Sequence, residues 1–268
     1  MLALAVGKVF GENAKLFPKN ELDIRDGYAF RSAIKGFDFV INTAAYTNVD
    51  EAETNEELAH EINAKAVGEM ASACREAGIR FIQISTDYVF GESEQKPIPE
   101  TARTNPVSAY GRTKLAGEQL ALAAHPNGAS VVRTAWLYGA GGKSFVKTMS
   151  ERAMQNETVS VVTDQIGQPT WTMDVAERLK HLLTAQAGIY HATSSGVASW
   201  FELAKAVYEI VGADPNLVKP TNSVSYERPA KRPAYSVLGD EAALNLGLPP
   251  MRDWREALAE AMRVDFSF

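Results

Sequence analysis

Short apolar runs rich in β-branched and aromatic residues alternate along this chain with longer stretches of helical periodicity. That rhythm constrains the fold more than any other feature. The runs cover residues 37–43 (FDFVINT), 80–85 (RFIQIS), 130–137 (SVVRTAWL), 159–162 and 188–192. The first three are near-continuously apolar, as parallel strands buried on both faces require. Between them, residues 57–76 carry Leu58, Ile62, Met70 and Cys74 at helical spacing, and residues 105–124 carry Val107, Leu115 and Leu122. Strand, helix and strand in this order mean βαβ units and a Rossmann-type, doubly wound parallel α/β sheet. From about residue 151 the pattern loosens. Loop-rich segments at 164–172 and 215–233 separate helices predicted near 173–185, 200–211 and 253–263. The expected organisation is a dinucleotide-binding domain over 1–150 and a smaller α+β substrate lobe over 151–268, with some of its segments returning to the first domain.

Composition narrows the function classes. With 268 residues, 46% of them hydrophobic and 22% charged, the chain suits a globular fold. The net charge of −6 and the lack of a basic run argue against a nucleic-acid partner. Cys74 is the sole cysteine, so no internal disulfide can form, and a reducing, cytoplasmic compartment is expected. No apolar run reaches the roughly 18 residues of a membrane span. The four histidines show no paired spacing, so no metal site is expected.

The sequence Tyr110-Gly111-Arg112-Thr113-Lys114 falls inside a predicted helix. Tyr110 and Lys114 are i and i+4 and share one face. An ammonium group beside a phenol favours the phenolate and lowers the tyrosine pKa, so that the phenol can exchange a proton with a carbonyl or alcohol oxygen. A surface tyrosine packed on a lysine stem has the same spacing. Upstream, Ile84-Ser85-Thr86-Asp87-Tyr88-Val89-Phe90 reads as a strand ending in hydroxyls and a carboxylate, at the sheet edge where ligands bind in such folds. Thr86 can donate to the same substrate oxygen; a plain Ser/Thr turn capped by Asp87 is the alternative. Both features together are much rarer by chance than either alone.

These two motifs, together with AAYTNVDEAE at 44–53, RTAWLYG at 133–139 and GQPT at 167–170, resemble the dTDP-4-dehydrorhamnose reductase family of extended short-chain dehydrogenases/reductases. The resemblance runs from about residue 20 to 261. It implies a Rossmann domain holding NADPH or NADH, a dTDP-sugar substrate, and hydride transfer to C4 of dTDP-4-dehydro-L-rhamnose. It allows a homodimer. By resemblance Tyr110 is the proton donor, Lys114 its tuner and ribose anchor, and Thr86 the carbonyl polariser. Asp87 and Trp136 match positions in the sugar-nucleotide site. Ala44, Ala45 and Tyr46 run beside the cofactor, Asp23 and Ile24 meet its adenosine half, and Asn63 lies near it. From the residues alone, Trp136 is equally a buried strand-end tryptophan and Asn63 a packing feature of its helix.

The resemblance also implies a strand and a Gly-x-x-Gly-x-x-Gly turn about 30 residues before Asp23. Gly7 and Gly11 are the only early glycines, so residues 1–10 read instead as the rest of the first helix, with Gly11-Glu12-Asn13 as its stop. Without that turn, two or three charge-assisted bonds of about 1.5–3 kcal/mol each are missing from the pyrophosphate site, and the sheet is expected to gap. Two further readings stay open: a non-catalytic regulatory protein on the same fold, like the β subunit of methionine adenosyltransferase, and another sugar-nucleotide-modifying enzyme.

Overall fold

Helix and strand follow the sequence rhythm closely. The computed structural model describes residues 1–91, 95–225 and 228–268. The chain opens with α1 (Leu2–Phe10), which stops at a 3₁₀ turn, Gly11–Asn13, as the sequence predicts. There follow α2 (Gly27–Ala33), β1 (Phe39–Asn42), α3 (Val49–Ala52), α4 (Glu56–His60), a π-helical turn (Glu61–Lys65), α5 (Ala66–Ala77) and β2 (Arg80–Thr86). A 3₁₀ turn (Asp87–Val89), α6 (Ala109–Ala124), β3 (Ala129–Thr134) and β4 (Leu137–Tyr138) come next. The second half contains α7 (Phe145–Met154), β5 (Val159–Val162), β6 (Ile166–Gly167), β7 (Thr170–Trp171), α8 (Thr172–Leu182), β8 (Ile189–His191) and β9 (Ala198–Ser199). It closes with α9 (Trp200–Val211), β10 (Val218–Thr221), α10 (Glu241–Asn245) and α11 (Trp254–Asp265). Among the described residues, no helix is long and apolar enough to cross a membrane.

The main sheet has the order β1-β2-β3-β8 and is parallel throughout. Side chains alternate across it. Phe81 and Ala129 enter the layer formed by α2, α5 and α6, with Phe30, Ile34, Met70 and Cys74. Ile82, Ile84 and Val132 enter the opposite layer, where Leu2 and Val6 of α1 meet Val175 and Leu179 of α8. A second core gathers α7, α9 and α11 with the β5–β10 pair around the fully buried Trp254.

Three departures from the sequence reading have physical causes. β2 and β3 are buried along nearly their whole length, but Phe39, Val40 and Ile41 of β1 are only half-buried. β1 is the edge strand of the described sheet, and the expected gap takes the form of an apolar groove of about 490 Å³ beside it, lined by Leu16 and Phe17 as well as Val6, Phe10, Val40 and Ile41. Leu58 is 40% exposed although it was expected on the apolar face of its helix; the π turn adds a residue between α4 and α5 and rotates one helix face relative to the other. The run at 130–137 also divides. Trp136 takes φ +46°, and the chain turns there from β3 into β4, which pairs with β7 rather than with the main sheet.

The π turn lies directly against α6. A Cβ at Gly117 would come within 1.9 Å of the Asn63 carbonyl oxygen. Gly117→Ala should therefore force α6 off the turn and destabilise the fold by about 1–3 kcal/mol. The check is a lower urea midpoint with an unchanged denaturant slope; a midpoint equal to the parent's would refute the tight contact.

Candidate active site

The carboxyl end of β2 and the first two turns of α6 build the centre of the site. Thr86 caps the 3₁₀ turn that follows β2, its hydroxyl oxygen accepting from the Tyr88 amide at 3.2 Å. Ser108 caps α6 by accepting from the Gly111 amide at 3.1 Å. The two turns touch so closely that a Cβ at Gly111 would lie 2.2 Å from the Tyr88 carbonyl oxygen. This contact brings the Tyr110 phenol beside the Thr86 side chain, close enough for the two to act on one another. The Tyr88 and Tyr110 rings meet edge-on, with centroids 5.5 Å apart.

The electrostatics differ from the sequence expectation in one respect. Lys114 does not lower the Tyr110 pKa. Burial raises it, the nearby Asp87 charge raises it further, and only the Thr86 hydroxyl acts the other way. The lysine is turned away: its Nζ donates to the Ile84 carbonyl at 2.7 Å, and the side chain is almost wholly buried. Burial brings the Lys114 amine down to about 8, against the pull of Glu118. Asp87 is also buried. Loss of hydration pushes its carboxyl up to about 6, opposed by the nearby Ser236 and Thr86 hydroxyls. The Thr86 hydroxyl donates to Asp87 Oδ1 at 3.0 Å.

The loop after β1 flanks this centre. Ala44 donates its amide to Asn42 Oδ1 at 3.0 Å, and the Tyr46 amide donates to Asn63 Oδ1 at 2.8 Å. Asn63 Nδ2 donates in turn to the Tyr46 carbonyl and to Thr113 Oγ1, each at 3.1 Å. The buried asparagine thus ties the Ala44–Ala45–Tyr46 loop to the helix that carries Tyr110. Asp23 and Ile24 lie apart from this group. Arg25 engages both Asp23 carboxylate oxygens and holds that carboxyl well below its usual range, while Ile24 lines the groove beside β1.

A second cleft, about 880 Å³, is lined by Arg152, Arg228, Lys231, Arg232, Met149 and Trp200, among others. Trp136 stacks on Trp200, with centroids 3.6 Å apart and planes within 7°. Asp50, in the first turn of α3, accepts from Arg232 at 3.1 and 3.0 Å, from Arg228 at 3.3 Å and from the Ala230 amide at 3.2 Å. Arg232 also lies close enough to the Tyr88 phenol to interact with it. Asp50, Arg232, Trp200 and Ser236 escaped the sequence reading. Three cations within residues 228–232 of a Pro-rich loop were the available signal for an anion site.

The residues present fit the nicotinamide-riboside half of a dinucleotide. Among the described residues, the buried Lys114 ammonium has one acceptor, the Ile84 carbonyl, leaving donors for ligand hydroxyls. Small side chains at Ala44 and Ala45 admit a close approach at the strand ends.

Residues 5–265 match the family model described as RmlD substrate binding domain. A dTDP-4-dehydrorhamnose reductase of Streptomyces griseus is 47% identical over 251 residues, which is 91% of this chain and 83% of the relative. A crystal structure of a dTDP-4-dehydrorhamnose reductase from Clostridium acetobutylicum has a TM-score of 0.92 at 38% identity, covering 98% of this chain and 95% of that one. The Bacillus anthracis enzyme of the same name, solved in complex with NADP, has a TM-score of 0.90 at 34% identity, covering 96% and 94%.

The Asp87 environment has a consequence for stability. Its pKa rises from 3.8 to about 6 on folding, so the folded chain binds this proton more tightly than the unfolded one. The resulting stabilisation is complete below about pH 4 and is lost as the pH rises through 6. Asp87→Asn cannot ionise and should gain stability relative to the parent between pH 4 and 7, by on the order of 3 kcal/mol. Urea titrations of both proteins at the two pH values test this; parallel pH dependences would rule it out.

Proposed function

The chain belongs to the RmlD substrate-binding-domain family, that of the dTDP-4-dehydrorhamnose reductases, and from this premise we propose how its residues share the reaction. The activity is the NAD(P)H-dependent reduction of dTDP-4-dehydro-L-rhamnose to dTDP-L-rhamnose. The observation that carries the assignment of roles is the convergence of Thr86, Tyr110 and Lys114 on the carboxyl end of β2. A regulatory protein on this fold would have no need of that convergence.

NADPH or NADH supplies the hydride when bound. The chain's residues do the rest. Tyr110 donates the proton that the C4 oxygen requires as hydride arrives, and burial keeps it protonated until then. Thr86 turns its hydroxyl from Asp87 toward the same oxygen and polarises the ketone. Lys114 gives its unused N–H donors to the ribose hydroxyls. The loop from Ala44 to Tyr46, fixed by Asn63, forms the wall against which the nicotinamide side rests. Asp23 and Ile24 are assigned to the adenosine half on the family resemblance.

The substrate's diphosphate fits the cationic cleft. Arg232 is held by Asp50 and reaches Tyr88, so it spans from the nucleotide cleft to the reacting centre. The stacked Trp136–Trp200 pair offers a flat apolar wall there. In this reading residues 151–268 serve mainly in substrate binding; β8 pairs in the main sheet and α8 packs on it.

Two outcomes are expected. Tyr110→Phe should lower kcat by about 10²–10⁴, the range for a lost general acid, while the NADPH dissociation constant stays within about twofold. A Phe variant turning over near the parent rate would end the assignment. Asp50→Asn should loosen Arg232 and raise KM for the dTDP-sugar at least about tenfold, since a charge-assisted bond contributes some 1.5–3 kcal/mol. The KM for NADPH should be unmoved. Steady-state kinetics with each substrate varied in turn separates the two effects.

A further inference from the structure

One buried ion pair lies beneath the proposed centre without touching it. Glu118 and Arg133 are each about 2% exposed at the side chain. Arg133 Nε donates to both Glu118 oxygens, at 2.9 and 3.2 Å, and Nη2 donates to Oε2 at 2.6 Å. The guanidinium rests on the Phe90 ring, 5.0 Å from its centroid. Buried pairs of this kind are close to neutral for stability when compared with apolar replacements, so a structural contribution does not by itself account for this one.

Its position gives the account. Glu118 is i+4 from Lys114 on α6, so the two side chains share a face. Among the described residues, Glu118 is the charge that pulls the Lys114 amine upward. Lys114 meets the neutral Ile84 carbonyl from β2. From β8, His191 lies near Arg133, but burial and that guanidinium hold its imidazole down at about 3, so it is uncharged. Glu118 therefore has two cations within its reach, one on its own helix and one on β3, and in this low-dielectric setting it binds one of them firmly. The planar fork of arginine engages both oxygens, which a lysine cannot do.

We propose that Arg133 is a positioning residue that occupies both oxygens of Glu118 and so keeps that carboxylate from capturing Lys114, leaving the ammonium free for the hydroxyls of the nicotinamide riboside. The inference rests on the reading of Lys114 as a ribose anchor, and the two are separable by experiment. Arg133→Met frees Glu118, which then pairs with Lys114 across one helical turn. Arg133→Met with Glu118→Gln removes both charges, so no carboxylate is left to capture Lys114.

The test is the titration of the Lys114 amine by NMR in the cofactor-free chain with labelled lysine, the signal being assigned by its loss in Lys114→Met. In Arg133→Met the midpoint should rise by roughly one pH unit or more, as an opposite charge at contact requires. In the double variant it should fall back to the parent value or somewhat below it, because the charge that raises it is gone. The NADPH dissociation constant should weaken about tenfold in the single variant and recover to within about threefold in the double. If Arg133→Met does not fold, Arg133→Lys keeps the charge, loses the fork, and should show the same shift at smaller size. An unmoved amine midpoint in the folded single variant, or a double variant whose midpoint stays raised, overturns the proposal. If Lys114→Met leaves NADPH binding unchanged, the ribose-anchor reading falls instead, whatever the titration shows.

Discussion

The approach of α6 to the carboxyl end of β2 is the constraint on which the site depends. Two glycines on one helix permit it. Without a side chain at Gly111 the helix start presses on the 3₁₀ turn after β2, and without one at Gly117 the next turn presses on Asn63. The helix is thereby fixed at two points along its axis, which sets both its height and its rotation over the sheet. Tyr110 then meets Thr86, Lys114 reaches the Ile84 carbonyl and Glu118 reaches Arg133. Each contact lies one turn beyond the last, so a small slide of α6 would break all of them together. The geometry of the reaction is inherited from the packing of two elements, not from a flexible loop.

A large part of this was legible in the sequence. Parallel strands buried on both faces have few ways to look in sequence, and β2 and β3 were read nearly to their ends. The Tyr110–Lys114 spacing and the hydroxyl at Thr86 were readable for a related reason: helical periodicity and strand direction decide where such side chains project. What was not legible depended on tertiary environment. The direction of the Tyr110 pKa could not follow from spacing, because Lys114 spends its reach on a backbone carbonyl of β2 while burial acts on the phenol. Leu58 was misjudged because a π turn changes the helix phase without altering the composition. Trp136 reads as part of a strand, yet its φ of +46° ends one. β1 has the apolar character of a central strand and lies at an edge, where only the pairing of other segments decides its burial.

The nucleotide cleft shows a different limit. Its cations lie in an irregular segment, residues 228–232, with no periodicity to say where they point. Their counter-charge, Asp50, is distant in sequence and lies within a motif read for its small and aromatic residues. The pairing of Asp50 with Arg228 and Arg232 ties the loop after β1 to the C-terminal lobe. Asn63 already ties that loop to α6. The proposed cofactor wall and the cationic cleft are therefore registered on the same short stretch of chain, residues 44–50.

The protonation states of the centre follow one logic. A site that reduces a ketone must present a proton to an oxygen that is only beginning to carry charge, so its acid has to remain protonated at rest. Burial of Tyr110 and the carboxylate character of Asp87 both achieve this, by making the phenolate costly. The same burial makes the Lys114 cation costly, and its amine falls toward neutrality near pH 8. In the free chain the phenol is thus held protonated, the state that its proposed role as acid requires.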